Sequence, residues 1–307
     1  MKICIIALGK KDYAPKRIYD EGGKAGHSMY LTTWDDIVLK INKKDIYFGD
    51  GGKSFAQFDA IIPRNCKCII RPKEKKVTLR RNTLLDLLVE FSNKHGFFLL
   101  NKNFLSGYQK LDKLSQQFFL AENDLPGIPS CYFFNKKNIG KLKVEYPTVA
   151  KIADGSLGAQ VYKINKKKEL YSFLRDRHHD GEFFLFQKYL EISEDYRVLV
   201  IGNKVAGVMK RSPKKGEWRT NFSLGGTVSR AEKNKEMVDL ALRVAQKMKL
   251  DYVGVDILRH KNKLYIIEIN PFAQFSGFEK AFPEINVAKN IINLIEKKND
   301  IASKNNN

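Results

Sequence analysis

Long apolar segments are missing from this sequence of 307 residues. None of its apolar runs approaches the roughly 18 residues that a membrane-spanning helix requires. The apolar start MKICIIAL is followed at once by GKKD, so it is too short for a secretory signal peptide and indicates a first buried strand. We therefore expect a soluble, cytoplasmic protein without a membrane partner.

Cysteine is also scarce, and its few positions are Cys4, Cys66, Cys68 and Cys131. So low a number suits a reducing compartment. The CKC run at 66–68 suggests a metal site, but a zinc site needs about four ligands, and neither a Cys-x-x-Cys pair nor a histidine partner lies nearby. We favour ordinary thiols.

Length and charge set broad limits on what the protein does. A chain of 307 residues with 43% hydrophobic residues exceeds one ordinary core, so we expect two or three sub-domains. The 55 Lys and Arg residues outnumber the 34 Asp and Glu residues, which gives a formal net charge of +21. Such a surplus attracts polyanions, whether nucleic acid, nucleotide phosphates or acidic protein segments, and it does not say which.

The first third of the chain alternates between strand and helix patterns. Strands are predicted in KICIIAL, SMYLTT, FDAIIPR and FFLLN, with helices in PKRIYDEGGKAG and VTLRRNTLLDLLVEFSNKHG. This alternation predicts a small parallel sheet with helices packed on it, which we assign to residues 1–102.

A second pattern begins at about residue 103. A helical stripe predicts one helix, and two short strands, in YPTVAKIA and AQVYKI, flank the glycine-rich DGSLG; the stripe consists of Leu111, Leu114, Phe118, Ala121 and Leu125. We expect residues 103–186 to form a small lid domain.

The last third contains two predicted hairpins and two helical stripes. The first hairpin, DYRVLVIGNKVAGVMKR, turns at Gly202 and Asn203, and helices are predicted around Met237–Met248 and Val287–Ile295. We assign residues 187–297 to a C-terminal domain and residues 298–307 to a disordered tail.

The second hairpin joins VGVDIL to KLYIIEIN through the turn-like RHKNK. A three-residue loop, Lys261 to Lys263, would place Asp256 opposite Glu268 and Gly254 opposite Asn270. The same register places Val255 opposite Ile269 and Ile257 opposite Ile267. One face is then apolar, and the other gathers oxygen-bearing side chains.

Asp256, Glu268 and Asn270 form the strongest chemical pattern in the chain. Two carboxylates and an amide oxygen suit a hard cation such as Mg²⁺, which completes its octahedron with phosphate oxygens and water. The alternative is a solvent-facing side of a sheet, where these residue types are common.

Two further segments are candidates for binding anions. Lys151 ends an apolar strand directly before DGSLG, an arrangement that can hold phosphates, although no P-loop motif is present and a surface turn is the alternative. The loop KRSPKKGEWRTN carries Arg211, Arg219 and Asn221, which can clamp phosphate or carboxylate oxygens. A solvated basic loop is the alternative there.

The order of DKL, VAKIADGSLG, FLFQKYL, DYRVLVIGNKVAGVMKRSPKKGEWRTNFSLGGT, GVDILR and IIEINP resembles the RimK-type branch of the ATP-grasp ligases, from about residue 60 to about 296. The resemblance implies an α/β (α+β) ATP-grasp fold, with an N-terminal parallel α/β domain, a central lid domain and a C-terminal antiparallel-sheet domain. It implies that ATP lies between the last two domains.

The resemblance also implies a role for each matched residue. Two magnesium ions, with manganese as an alternative, would be held by Asp256, Glu268 and Asn270. Catalytic roles fall to Arg219 and Lys151, and a substrate contact to Arg211. Apart from the resemblance, Arg64 ends a predicted strand of the first domain, where ligands of an open parallel sheet collect, so we expect it to contact the substrate as well. The residues implied to bind ATP are Lys113, Lys151, Gly155, Ser156, Gly158, Gln187, Lys188, Tyr189, Leu190, Asp195, Arg219, Thr220 and Asn221.

The chemistry implied is two-step amide formation. A substrate carboxylate attacks the γ-phosphate of ATP, and an amine then displaces phosphate from the acyl phosphate. The charge of the chain favours glutamate or an acidic peptide or protein as the carboxylate, with a carrier-bound or small cofactor carboxylate as the alternative. A homodimer or homotetramer is compatible with this function.

The rival hypothesis is a non-catalytic nucleotide-binding, nucleic-acid-binding or ribosome-binding protein, as the charge of +21 suggests. It predicts aromatic residues interleaved with cations on one face. The lysines are instead spread along the whole chain, while carboxylates cluster in the predicted metal site. We therefore do not expect specific nucleic-acid binding.

Overall fold

The computed structural model describes residues 1–43, 45–64, 75–108, 112–132, 138, 140, 144–153, 161–177, 184–217, 219 and 225–305. Strands within these residues form four sheets, three of them with helices packed against them. Across the same residues, helices of sufficient length and apolarity to span a bilayer are absent. The combination of one parallel sheet with antiparallel ones confirms the predicted fold class.

The N-terminal sheet is parallel, as predicted. Its elements run β1 (Lys2–Ala7), α1 (Tyr13–Lys24), β2 (Ser28–Thr33), β3 (Val38–Ile41), β4 (Ile46–Gly49), β5 (Ala60–Pro63), α2 (Lys75–His95) and β6 (Phe98–Leu99), with sheet order β2-β1-β5-β6. Strand β1 is apolar from Ile3 to Ala7 because both of its faces are covered there: Ile3 and Ile5 pack on one side, and Cys4 and Ile6 on the other. The β3–β4 hairpin was not predicted.

The middle of the chain contains α3 (Lys102–Tyr108), α4 (Lys113–Glu122), β7 (Ser130–Cys131), β8 (Thr148–Ile152), β9 (Val161–Ile164), α5 (Lys167–Arg177) and β10 (Phe184–Lys188). The antiparallel order is β7-β10-β8-β9, and the expected boundary at 186/187 lies inside β10. We call this sheet the lid sheet.

Helix α4 differs from the predicted helix in the side that it buries. Asp112 caps it, since its Oδ1 accepts a hydrogen bond of 2.7 Å from the Ser115 backbone N–H. The buried positions are Gln116, Phe119 and Leu120, whereas Phe118, which the predicted stripe included, is 67% exposed.

The C-terminal sheet is antiparallel and has the order β13-β12-β11-β14-β15. Its elements are β11 (Asp195–Ile201), β12 (Lys204–Ser212), β13 (Thr227–Ala231), α6 (Lys235–Lys247), β14 (Tyr252–His260), β15 (Lys263–Asn270), α7 (Ser276–Ala281) and α8 (Val287–Asn305). Helix α8 covers residues 298–305, where a disordered tail was expected, and Lys298 pairs with Asp251 at 3.5 Å.

One face of this sheet is apolar, and the opposite face is partly apolar and partly charged. Val198, Val255 and Ile269 pack in the same core as α6. On the opposite face, Met209 and Tyr252 pack in the core that includes α7 and α8. The charged residues described below occupy the rest of that face, which we call the site face.

The β14–β15 hairpin has the predicted pairing at its functional end and a different pairing at its turn. Asp256 lies opposite Glu268 and Gly254 opposite Asn270, as predicted, but Ile257 lies opposite Ile266 rather than Ile267. The turn consists of two residues, Lys261 and Asn262, with positive φ values of 47° and 61°. The loop is therefore one residue shorter than predicted. A β-bulge at Ile267 compensates, so the two departures cancel before Glu268.

Asn101 joins the N-terminal sheet to the C-terminal one. It is fully buried, and its φ of 63° is one that asparagine tolerates better than most residues. Its Nδ2 donates to the carbonyls of Tyr252 (3.0 Å) and Pro271 (2.8 Å), and its Oδ1 accepts from the backbone N–H groups of Asp251 (2.7 Å) and Tyr252 (2.9 Å). The start of β14 and the residue after β15 therefore share one anchor.

We predict that Asn101→Gly lowers the free energy of unfolding by about 2–4 kcal/mol, because glycine keeps the positive φ but removes these bonds, each worth about 0.5–1.5 kcal/mol. Asn101→Ala should cost more, because it adds strain. Urea denaturation measures both, with the exposed Asn103→Ala as control. A stability of Asn101→Gly within about 0.5 kcal/mol of the parent would contradict the prediction.

Candidate active site

Asp256 lies at the centre of the site face and is almost fully buried. Arg197, opposite it on β11, makes a two-pronged pair: Nε to Oδ1 at 2.7 Å and Nη2 to Oδ2 at 2.8 Å. Arg211 Nη2 lies 3.1 Å from Oδ2, and Asn270 Nδ2 donates to Oδ2 at 3.2 Å. Burial alone would raise the pKa of Asp256, but the charges of Arg197 and Arg211 outweigh it and lower the pKa.

Arg211 connects this carboxylate to a second one. Strand pairing places it opposite Asp195, and its Nε and Nη2 donate to the two oxygens of Asp195 at 2.6 and 2.9 Å. Burial would lower the pKa of Arg211, yet the negative charges of Asp256 and Asp195 raise it. The side chain expected to meet a substrate carboxylate is therefore occupied by two carboxylates of the protein.

Gly254 makes room for this network. A Cβ atom at this position would lie 2.8 Å from the Ala273 Cβ and 3.3 Å from the Arg197 Cδ. The Arg197 side chain passes close to Gly254, which has no Cβ, and reaches Asp256. Arg197 was not predicted as a site residue, although it stands two positions after Asp195 and so shares its face of β11.

Two lysines from outside the C-terminal sheet lie near the carboxylates of the site face, which include Glu268. Lys113 Nζ lies 3.7 Å from Glu268 Oε1. Burial lowers the pKa of Lys151 to about 8, repulsion from Lys113 acts in the same direction, and Glu268, Asp195 and Asp256 partly oppose both. The structure thus brings together lysines and carboxylates that the sequence placed in three separate motifs.

The predicted adenine segment, Gln187 to Leu190, continues from the end of β10. Gln187 is buried, its Nε2 donates to Ser130 Oγ at 2.9 Å, and its carbonyl accepts from Thr148 Oγ1 at 2.8 Å. Its Oε1 is buried without a hydrogen-bond partner among the described residues. Leu190 is buried in a small apolar cluster.

Lys188 and Tyr189, which lie between Gln187 and Leu190, are fixed by side-chain and backbone contacts. Lys188 Nζ pairs with Glu145 at 2.6 Å, and its backbone N–H donates to the carbonyl of Pro129 at 2.9 Å. The Lys163 ammonium lies 3.8 Å from the centre of the Tyr189 ring. The basic residue at position 188 therefore faces Glu145, which lies three residues before β8 of the lid sheet.

Arg64 differs from the expectation of a substrate contact. It is fully buried, its Nη2 donates to the carbonyl of Ala273 at 2.7 Å, and the guanidinium lies over the rings of Tyr252 and Phe275 at 5.3 and 5.9 Å. In this arrangement Arg64 holds the loop that follows Asn270. The whole side chain is buried in this structure, and its Nε and Nη1 have no hydrogen-bond partner among the described residues.

The remaining predicted residues are described in part. Arg219 donates from Nε and Nη2 to the carboxylate of Glu217 at 3.0 and 2.6 Å, and this pairing raises its pKa. The other predicted positions lie outside the described residues, as do two of the cysteines: Gly155, Ser156, Gly158, Thr220, Asn221, Cys66 and Cys68.

The donor set fits magnesium better than a softer metal. No cluster of three or more His, Cys, Asp or Glu side chains occurs in the described part of the chain. Asp256, Glu268 and Asn270 offer carboxylate and amide oxygens, and because Asn270 turns its Nδ2 to Asp256, its Oδ1 remains as an acceptor. Mg²⁺ needs only a few protein oxygens when phosphates supply the others.

Comparison with known proteins identifies the family of this chain. A model of the RimK-like ATP-grasp domain matches residues 130–295, and a model of the RimK PreATP-grasp domain matches residues 1–78. A probable alpha-L-glutamate ligase 1 of Shewanella denitrificans is 28% identical over 97% of this chain and 98% of its own length. A probable alpha-L-glutamate ligase 2 of Shewanella baltica is 27% identical over 97% and 96%.

Solved structures show the same fold. The ATP-grasp ligase PsnB complexed with precursor peptide PsnA2 and AMPPNP superposes with a TM-score of 0.71 at 18% identity, covering 97% of this chain and 98% of that one. A RimK domain protein ATP-grasp from Sphaerobacter thermophilus gives a TM-score of 0.69 at 14% identity, with coverages of 96% and 100%.

We predict that Gly254→Ala lowers the free energy of unfolding by about 1–3 kcal/mol, the usual cost of overpacking, because its Cβ would displace Arg197 or Ala273. Denaturant unfolding compares it with Gly23→Ala, where a Cβ would meet nothing within 4 Å. The control should be neutral or stabilising. Equal stabilities for the two variants would contradict the close approach of Arg197.

A second prediction concerns pH. Burial lowers the pKa of Lys151 to about 8 in the folded protein, whereas the pKa of an unfolded lysine is about 10.4. The unfolded state therefore binds more protons between these values, and the stability of the parent should rise there relative to Lys151→Met, by about 2 kcal/mol. Thermal unfolding from pH 7 to 10, with the exposed Lys204→Met as control, tests this. Parallel curves for the parent and Lys151→Met would refute it.

Proposed function

Because the chain belongs to the RimK-like ATP-grasp ligases and is therefore an ATP-dependent ligase that uses magnesium, we propose that it joins a carboxylate to an amine through an acyl phosphate. The observation that carries this proposal is the meeting of Lys113 and Lys151 with Asp256 and Glu268 at one end of the site face. Cations for phosphate oxygens and oxygen ligands for a metal are thus close together.

We propose that the lysines offset the charge of the phosphates and that the carboxylates bind the metal. Attack of a carboxylate on a phosphate brings two anions together, so the barrier is largely electrostatic. Lys113, Lys151 and Arg219 would hold the phosphate oxygens. Asp256, Glu268 and Asn270 would hold two magnesium ions, for which manganese could substitute, and bound magnesium would offset phosphate charge.

The segment Gln187 to Leu190 would receive adenine, with Asp195 facing the ribose. The buried Oε1 of Gln187, which has no partner among the described residues, suits the exocyclic amino group of the base. The glycine loop with Ser156, together with Thr220 and Asn221, is proposed to complete the phosphate site.

We propose an acidic substrate, glutamate or an acidic peptide or protein carboxylate. Support comes from relatives named alpha-L-glutamate ligase, from the ligase PsnB complexed with a precursor peptide, and from the net charge of +21. Arg64 and Arg211 no longer support it, because both are engaged inside the protein. A carrier-bound or small cofactor carboxylate is the second candidate.

The direct test is an assay of ADP release with purified protein, ATP, Mg²⁺ and a panel of carboxylates and amines. We expect release that requires both a carboxylate and an amine, with glutamate or glutamate-ending peptides ahead of neutral amino acids. Faster turnover of neutral substrates would overturn the acidic preference. Turnover of ATP that no carboxylate stimulates would overturn the ligase reaction.

We predict that Glu268→Gln reduces ATP turnover at least 100-fold with little change in thermal stability, because it removes an anionic magnesium ligand whose carboxylate is partly exposed and lies 3.7 Å from the Lys113 ammonium. Asp256→Asn is a poorer test, because leaving Arg197 without its carboxylate partner in the interior costs about 3–5 kcal/mol. The exposed Glu232→Gln serves as control. Turnover by Glu268→Gln at the rate of the control would refute the metal assignment.

A further inference from the structure

Gln116 of α4 makes an unusual contact with the strand that carries the proposed metal ligands. The side chain is 1% exposed. Its Nε2 donates to the carbonyl of Ile269 at 3.2 Å, and its Oε1 accepts from the backbone N–H of the same residue at 2.8 Å. Ile269 is the residue between Glu268 and Asn270, so one amide side chain holds the backbone from which both ligands project.

The position of β15 in the sheet explains why an amide side chain is suitable here. Strand β15 is the outermost strand of the described C-terminal sheet, so one row of its backbone groups is not paired with β14. A primary amide carries a donor and an acceptor and can replace the missing neighbouring strand at one residue. Neither a carboxylate nor a hydroxyl offers the same pair of groups at the same spacing.

A second attachment lies on the other side of the bulge. The Ile266 backbone N–H donates to the carbonyl of Pro126 at 2.7 Å. The outer edge of β15 is therefore fastened before and after Ile267, where the ladder with β14 is irregular. The Gln116 contact thus fastens Ile269, beyond the bulge, on the edge that faces away from β14.

The same helix also touches the lid sheet. The backbone N–H of Lys113, the first residue of α4, donates at 3.1 Å to the carbonyl of Ala153, two residues after Lys151. Gln116 follows Lys113 by three residues and so lies about one helical turn away. One rigid turn of helix thus contacts both the strand of the phosphate-binding lysine and the strand of the metal ligands.

We propose that Gln116 is a positioning residue, which sets the side chains of Glu268 and Asn270 by clamping the backbone of Ile269. It acts through those ligands and touches neither substrate nor metal. The inference rests on the proposed function, since Glu268 and Asn270 matter only as magnesium ligands. Its effect should therefore appear in the dependence of nucleotide binding on Mg²⁺, rather than in nucleotide binding without metal.

The test compares the parent with Gln116→Met, which keeps the length but loses the amide, and Gln116→Glu, which keeps an acceptor and loses the donor. Gln117→Met is the matched control, because the Gln117 side chain makes no hydrogen bond within the described part of the chain. Calorimetry measures the affinity for a non-hydrolysable ATP analogue with Mg²⁺ and with EDTA. Hydrogen exchange at the Ile269 amide reports the contact itself.

We expect the gain in affinity on adding Mg²⁺ to fall at least tenfold in both Gln116 variants, with the affinity in EDTA within about twofold of the parent. Exchange of the Ile269 amide should accelerate in Gln116→Met and stay slow in Gln116→Glu and Gln117→Met. An unchanged gain in either Gln116 variant that folds would overturn the inference. A parent that binds the analogue without any gain from Mg²⁺ would overturn the proposed function instead.

Discussion

The negative charge of Asp256, held almost entirely inside the protein, is the constraint on which the C-terminal sheet depends. An unpaired carboxylate there would be very costly, so Arg197 and Arg211 must reach it from β11 and β12. Both arginines do so from fixed places in the ladder, with Arg197 opposite Asp256 and Arg211 opposite Asp195. Sliding any of these strands by one residue would turn charges toward the apolar core around α6. The ion pairs therefore specify the register as well as the site.

The same charges determine what the site can accept. Four cations, from Lys113, Lys151, Arg197 and Arg211, surround three carboxylates, from Asp195, Asp256 and Glu268. This arrangement is close to neutral without a ligand. A nucleotide with its metal adds phosphates beside the lysines and a cation beside the carboxylates, so each new charge meets its opposite. Burial disfavours the charged form of Lys151 and lowers its pKa. An arriving anion would raise that pKa and favour the charged form.

Local patterns predicted more of the fold than of the site. Alternation in KLYIIEIN was enough to place Glu268 opposite Asp256, because a strand repeats every two residues, yet nothing in it marked the bulge at Ile267. Arg64 directly follows strand β5, one residue beyond its end, but its burial depends on a loop some 200 residues later, which no local pattern reveals. Gln116 carries no sequence signal at all, because its partner is a backbone group. The approach of Lys113 to Glu268 likewise depends on packing between separate segments.

The bulge at Ile267 also bears on how this hairpin could vary in length. Upstream of it, from the turn to Ile266, the pairing with β14 is offset by one residue from the pairing downstream. Loss of one residue at the bulge would therefore leave a regular ladder with the ligand positions still facing the site. Loss of one residue between Glu268 and Asn270 would swing one ligand into the core around α6. Natural variants of this hairpin should accordingly tolerate length changes on the turn side of Glu268 and resist them beyond it.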